Sequence, residues 1–336
     1  MNRALLPTLL LAALLPACEK APDPLPADPA PRVPTRPVHT YSIVARDPVT
    51  GDLGVAVQSH WFNVGSVVPW AESGVGAVAT QSFVEPSYGA LGLSLMRAGK
   101  PASDALKALL TADPDREVRQ VAMVDAKGRV ATHTGSKCIG AAGHEAGDGF
   151  SVQANLMDKP TVWPAMARAF RGKKGDLADR MLAAFRAAEA EGGDLRGKQS
   201  AALIIVRAQP SGQPWNDRLF DLRVEDHPDP IGELERLVKL QRAYRHMDEG
   251  DRHVTAARWE AAKKSYAEAA KLAPGIVEMP FWQAVALASQ GRRDEALPLF
   301  KSVFAKEPAY RRLVPRLVDV GQLPKDPQLI KAIEAQ

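Results

Sequence analysis

Residues 40–59 read Thr40-Tyr41-Ser42-Ile43-Val44-Ala45-Arg46-Asp47-Pro48-Val49-Thr50-Gly51-Asp52-Leu53-Gly54-Val55-Ala56-Val57-Gln58-Ser59. Two runs rich in β-branched residues enclose a block of Asp, Pro, Thr and Gly, residues that preset or tolerate turn dihedrals. The pattern predicts a β-hairpin. If Arg46 pairs with Leu53 across the turn, partner numbers sum to 99 and Thr40 faces Ser59. Gln58 and His60 then lie beside that pair. A slip of one residue brings His60 opposite instead.

The same texture extends outward. Segments 66–70 and 75–79, joined by Glu72-Ser73-Gly74, predict a second hairpin. Segments 118–124 and 130–134, around Lys127-Gly128, predict a third. Strands are also expected over 150–156, 201–206 and 219–224. Segments 91–98 and 102–110 have helical spacing, broken by Gly99-Lys100-Pro101. Leu177, Met181, Leu182, Phe185 and Ala188 share one helical face. The fold class expected is α+β, a sandwich of sheets covered by helices.

Beyond about Ile231 the pattern is helical to the end. Ala262 and Ala296, Tyr266 and Phe300, Ala269 and Val303, and Pro274 and Pro308 are each 34 residues apart. Small, aromatic, small and proline at this period resemble the tetratricopeptide repeat (TPR). Trp259 and Gly291 also fall on favoured positions. Small residues let paired helices approach, the aromatic fills the gap, and proline ends the second helix. The alternative is a generic pair of helical hairpins. Residues after Pro308 stay helical without the repeat, as a terminal cap does.

Before residue 40 the chain changes character. Asn2-Arg3 precede an apolar run from Ala4 to Ala17. As a helix that run rises about 21 Å, short of a hydrocarbon core of about 30 Å. It reads as a signal peptide. Leu15-Pro16-Ala17-Cys18 resembles a lipobox, which implies acylation of Cys18. An ordinary signal peptide with an incidental cysteine is the alternative. Segment 21–37 holds seven prolines and predicts an extended linker. The expected domains are therefore a leader at 1–18, a proline-rich linker at 19–38, a sandwich at 39–230 and a helical domain at 231–336. The protein is expected to be exported and anchored by lipid in the cell envelope, on the periplasmic side in a Gram-negative host.

Residues 40 to about 230 resemble a family of uncharacterised proteins similar to N-terminal nucleophile (Ntn) hydrolases, domain-of-unknown-function family 1028 (DUF1028). The stretches that carry this run through the domain. They include Thr40 to Asp47, Gly54 to Ser59, Val64 to Ala71, Gly74 to Gln81 and Pro86-Ser87-Tyr88-Gly89. His133-Thr134-Gly135, Gly143-His144, Gln153 to Met157, Gln199 to Ala202 and Asp226 to Pro230 complete them. Ala154 departs from the glycine more usual in the family. The resemblance implies an Ntn-hydrolase-like αββα sandwich; fold transfers better than activity.

An enzyme of that kind uses a Thr, Ser or Cys at the head of its first strand, and the free α-amino group of that residue as base. The resemblance places Thr40 there. Cleavage of the His39–Thr40 bond would be required, and would detach the domain from Cys18. On an uncut chain Thr40 is an ordinary strand-start residue. Ser59 and Gln58 are candidates to orient the nucleophile or stabilise an oxyanion. Gln81 and Asn155, each at a strand end, are candidate amide donors. Arg46 and Asp47 read as a structural pair or an Asx turn.

His133, His144 and His227 lack metal-ligand spacing, and Cys138 is the second of two cysteines, so neither a metal site nor a cofactor is expected. The net charge of +4 is spread without a basic stripe, and no nucleic-acid partner is expected. Two functional readings stay open. One is an amide hydrolase or peptidase of the cell envelope. The other is a non-catalytic binding or assembly lipoprotein whose TPR-like repeats grip a peptide or protein. A homo-oligomer is expected in either case.

Overall fold

The structure, a computed structural model, describes Val38 and residues 40–336. Cys18, the lipobox, the proline-rich segment and His39 lie outside the described residues. In chain order the elements are β1 (Thr40–Arg46), β2 (Leu53–Ser59), β3 (Pro69–Glu72), β4 (Gly76–Ser82), α1 (Ser87–Arg97), α2 (Ala102–Ala112), β5 (Arg119–Asp125) and β6 (Val130–Thr134). Then come β7 (Gly143–Gly147), β8 (Phe150–Asn155), α3 (Val162–Gly172), α4 (Leu177–Ala190), β9 (Ser200–Val206) and β10 (Arg218–Val224). The remainder is α5 (Pro230–Thr255), α6 (Trp259–Leu272), α7 (Glu278–Ser289), α8 (Arg293–Lys306), α9 (Val314–Asp319) and α10 (Pro327–Glu334).

The strands form two antiparallel sheets, ordered β10-β9-β2-β1-β8-β7 and β3-β4-β5-β6. Period-2 alternation divides each strand between two cores. Tyr41, Ile43 and Ala45 of β1 pack under α3, α4 and α5 with Met166, Phe185 and Leu234. Val44 faces the other way and joins Val55, Ala79 and Val124 between the sheets. Val78, Val121 and Met123 turn outward from the four-stranded sheet to meet α1 and α2. The layers therefore run helix, sheet, sheet, helix. Gly54 lets the outer helix close in: a Cβ there would stand 2.8 Å from Met181 Cε on α4.

The β1–β2 hairpin has the register given by the turn count, Arg46 with Leu53 and Thr40 with Ser59. Its turn is an Asx turn, Asp47 Oδ1 accepting from the N–H groups of Val49 and Thr50 at 2.8 and 2.9 Å. Arg46 instead donates from Nε to the Ala126 carbonyl at 2.9 Å. The second hairpin starts later than the sequence suggests. Residues 64–66 form a 3-10 turn, fixed where the Val64 N–H donates to Ser200 Oγ at 3.1 Å, and the strand begins at Pro69. Proline is tolerated there because β3 is an edge strand.

Helix α5 belongs to two cores. Its first half contributes Ile231, Leu234 and Val238 to the sandwich. Its second half packs Ala243, Met247 and Val254 against Ala262, Tyr266 and Ala269 of α6. Helices α6 and α8 have the same length of 14 residues and begin 34 residues apart. Phe281, Phe300 and Phe304 centre a further core among α7, α8 and the last helices.

Candidate functional site

At the head of β1, Thr40 lies between Ser59 of β2 and Asn155 of β8, and Ser59 is paired in turn with Ser200 of β9. Alternation sends Thr40 and Ser42 to the face that Val44 occupies, toward the second sheet. The residues on the same face of β8 are Ser151, Gln153 and Asn155, and those facing them from the other sheet are Gln81 and Gln120, themselves a cross-strand pair. At one end of the sandwich the inter-sheet core is thus polar. Thr40, Ser42, Ser59, Gln81, Gln120 and Asn155 are fully buried.

Polar groups removed from water need partners, and here they find one another. Ser42 Oγ donates to Gln81 Oε1 at 2.6 Å and accepts from Gln153 Nε2. Gln81 Nε2 donates to Gln120 Oε1 at 2.7 Å and reaches the Thr40 carbonyl at 3.3 Å. Asn155 Nδ2 donates to the same Gln120 oxygen at 2.9 Å and reaches the Thr40 carbonyl at 3.4 Å. Gln120 Nε2 donates to the Ala154 carbonyl and to Thr134 Oγ1, each at 2.9 Å. Thr134 Oγ1 lies 2.8 Å from His144 Nδ1. Burial, with His133 nearby, holds the His144 pKa below the usual histidine value. The buried amides thus connect, through Thr134, to an imidazole at the surface.

The sequence candidates divide. Thr40, Ser59, Gln81 and Asn155 come together. The two amides are engaged on the Thr40 carbonyl and on Gln120, so they fix the backbone of Thr40 and are not open donors. Gln58 is not part of the group. Paired with Tyr41, it faces the helical layer, buried, with neither amide atom hydrogen-bonded. Ser42, Gln120 and Gln153 have no counterpart among the sequence candidates. Their signal was a polar side chain at an inward position of an otherwise apolar strand.

Two strained positions flank the group. Ser82, directly after Gln81, has φ 70°, and Leu156, directly after Asn155, has φ 54°. Non-glycine residues in this region cost about 1–3 kcal/mol each and gather at functional sites. The Cys138 thiol lies beside Ser82, and burial pushes its pKa up.

In front of Thr40 lies the chain itself. Its hydroxyl donates to the Val38 carbonyl at 2.9 Å, and Val38 bridges to Ser82. Among the described residues, no cluster of three or more His, Cys, Asp or Glu side chains is placed to hold a metal ion.

Comparison with known proteins identifies a family and a solved structure of similar fold. The model of a family of unknown function, DUF1028, matches residues 40–234. The crystal structure of protein SPO2555 from Silicibacter pomeroyi, described under the same family, is 31% identical, with a TM-score of 0.54 over 60% of this chain and 88% of that one. No curated protein matches.

Proposed function

The chain belongs to the DUF1028 family, and on that premise we propose that it is a latent amide hydrolase of the N-terminal nucleophile type, with Thr40 as the nucleophile. The observation that carries the reading is the placement of Thr40 at the head of a central strand, its carbonyl held by the amides of Gln81 and Asn155. The helix–sheet–sheet–helix layering and the strained residues after both amides add support. Cutting the His39–Thr40 bond would give Thr40 a free amine, with a pKa of about 7.7–8.0 suited to accepting its hydroxyl proton. Thr40 Oγ1 then adds to an amide carbonyl, the leaving amine takes the proton, and water releases the acyl group. Ser59, the cross-strand neighbour, is the residue placed to orient the hydroxyl. Gln81, Asn155 and Gln120 act as positioning residues.

A second reading, a non-catalytic binding or assembly lipoprotein of the cell envelope, has its own support. Thr40 is fully buried in the uncut chain, its hydroxyl occupied by Val38. The 34-residue offset between α6 and α8 supports TPR-like repeats that would hold a peptide. Residues 1–18 support export and lipid anchoring in both readings.

Intact-mass analysis of the mature protein separates them. A chain beginning at Thr40 supports the hydrolase; an acylated chain beginning at Cys18 that turns over amide substrates removes the α-amine mechanism.

A further inference from the structure

The connection between β9 and β10 and the outer face of α5 enclose a groove of about 800 Å³. Arg207 and Trp215 line it from the connection and Arg218 from the start of β10. Arg245, Asp248, Glu249 and Arg252 line it from α5, at the three- and four-residue spacing that stacks side chains on one helical face.

Four arginines line it against two carboxylates, Asp248 and Glu249. Arg218 is paired with Asp221, outside the groove, and Glu249 with His246. Among the described residues no carboxylate comes within ion-pair distance of Arg207, Arg245 or Arg252; the Arg207 Nε donates to a carbonyl, that of Asn216, at 3.1 Å. The Arg245 guanidinium is half-buried, stacked 4.8 Å from the centre of the Phe220 ring. Burial, and then the neighbouring Arg207, pull its pKa below the usual arginine value, while Asp52 and Asp176 attract it only from a distance. A partly desolvated cation beside a second cation, neither of them in an ion pair although Asp217 attracts Arg207 from a distance and Asp248 lies on the same wall, leaves an excess of positive charge that an incoming anion relieves. Guanidinium groups meet carboxylate and phosphate oxygens in paired, planar hydrogen bonds. Trp215, on a 3-10 turn at the rim, is 76% exposed, a large aromatic face turned to solvent.

We propose that this groove binds a small ligand bearing a carboxylate or phosphate group, its oxyanion held by Arg207, Arg245 and Arg252 and its flat or apolar part laid on Trp215. The site is separate from the Thr40 group and requires no cleavage of the chain.

The test is isothermal titration calorimetry of the full chain at low salt, with inorganic pyrophosphate and with citrate as probes. One-to-one binding of either is expected, with quenching of tryptophan fluorescence that Trp215→Phe abolishes. Tighter pyrophosphate binding assigns the site to phosphates, and tighter citrate binding to carboxylates. Arg245→Gln is expected to weaken binding at least tenfold. Because that side chain also stacks on Phe220, the double variant Arg207→Gln/Arg252→Gln, made at exposed positions, is the deciding one, and the same tenfold loss is expected. Failure of both probes to bind at millimolar concentration, or binding by the double variant equal to the parent, overturns the proposal.

Discussion

Val38 and Ser82 exchange both of their backbone hydrogen bonds, Val38 N–H to the Ser82 carbonyl at 2.6 Å and Ser82 N–H to the Val38 carbonyl at 3.0 Å. The bridge ties the chain that enters β1, a strand of one sheet, to the end of β4, a strand of the other. The Val38 carbonyl also takes the Thr40 hydroxyl proton. One short segment thus covers the proposed nucleophile and occupies its hydrogen-bonding capacity. The left-handed φ of Ser82 is the conformation that turns β4 toward this contact.

Replacing Thr40 with Ala removes one buried hydroxyl–carbonyl bond, and Val38 keeps its acceptor role toward Ser82. The loss of stability should be about 1 kcal/mol, with an unchanged circular dichroism spectrum. A chain whose N-terminus is Thr40 should hydrolyse members of an amide substrate panel, and the Thr40→Ala chain should hydrolyse none. Equal turnover by both would show that the nucleophile lies elsewhere.

Gln58 gives a contrasting case. Its amide is buried under the helical layer with neither atom hydrogen-bonded. A polar group desolvated without a partner costs about 1–3 kcal/mol. Gln58→Leu, of similar volume, should therefore leave stability unchanged or raise it by about 1–2 kcal/mol in urea denaturation. A large destabilisation would mean that the amide has a bound partner, such as an internal water, and that its burial is functional.

Gln120 should behave in the opposite way. Its carbonyl oxygen takes donors from Gln81 and Asn155, and its amide serves Ala154 and Thr134. Gln120→Leu strands several of these at once, each for about 1–3 kcal/mol. A loss of about 3–5 kcal/mol is expected, read from the urea midpoint with the slope unchanged. A loss under 1 kcal/mol would show that the amide network re-forms without its central member.

The contrast between these glutamines marks what the sequence can show. The β1–β2 register was legible because the turn around Asp47 has a fixed length and the strand alternation admits one pairing. The end of the sandwich where Thr40 sits followed from that register. The network did not, since Ser42, Gln81, Gln120 and Gln153 are brought together by two sheets whose stacking no local pattern encodes. Strand β7, Gly-His-Glu-Ala-Gly, has too little apolar alternation to read as a strand and is formed by its pairing with β8. Helix α3 was hidden by Pro164, which is harmless in the first turn, where no intrahelical N–H bond is lost. On the helical side the 34-residue period was plain, but the division of α5 between two cores was not: its buried positions pass from 231, 234 and 238 to 243, 247, 250 and 254, a different face of one unbroken helix, and no local pattern says which neighbour each face meets.

The pair of Asp113 with Arg119 predicts a pH dependence. Burial raises the Asp113 pKa, but hydrogen bonds from Arg119 Nε at 2.8 Å and from the Tyr88 hydroxyl at 3.0 Å outweigh it, and the carboxyl ends below its ordinary value. A folded-state pKa below the unfolded value of about 3.9 stabilises the fold at every pH above that value. The contribution fades as pH falls through the folded-state pKa. Asp113→Asn should therefore be less stable than the parent by about 2 kcal/mol at pH 7, and the gap should close as the pH falls through the lowered folded-state pKa. Urea titrations at a series of pH values measure this; a gap that widens toward acid would have the wrong sign.

The last prediction concerns how α5 meets α6. A Cβ at Gly250 would stand 2.3 Å from Tyr266 Cε1, inside the ring's van der Waals surface. The Tyr266 hydroxyl donates to Asp251 Oδ1 at 2.7 Å, so the ring cannot swing aside without breaking that bond. Thirty-four residues later, the corresponding positions are Ala284 and Phe300, both buried, so the second helix pair accepts a methyl where the first does not. Two effects oppose each other in Gly250→Ala. Alanine favours a helix interior by about 1 kcal/mol over glycine, whereas overpacking costs about 1–3 kcal/mol. The single change should be destabilising by about 1–2 kcal/mol. In a Tyr266→Ala background the clash is gone and only the helix preference remains, so the same substitution should become stabilising by up to about 1 kcal/mol. A double-mutant cycle in urea reads this reversal of sign directly. If Gly250→Ala has the same effect with and without the tyrosine ring, Gly250 is not there to admit it.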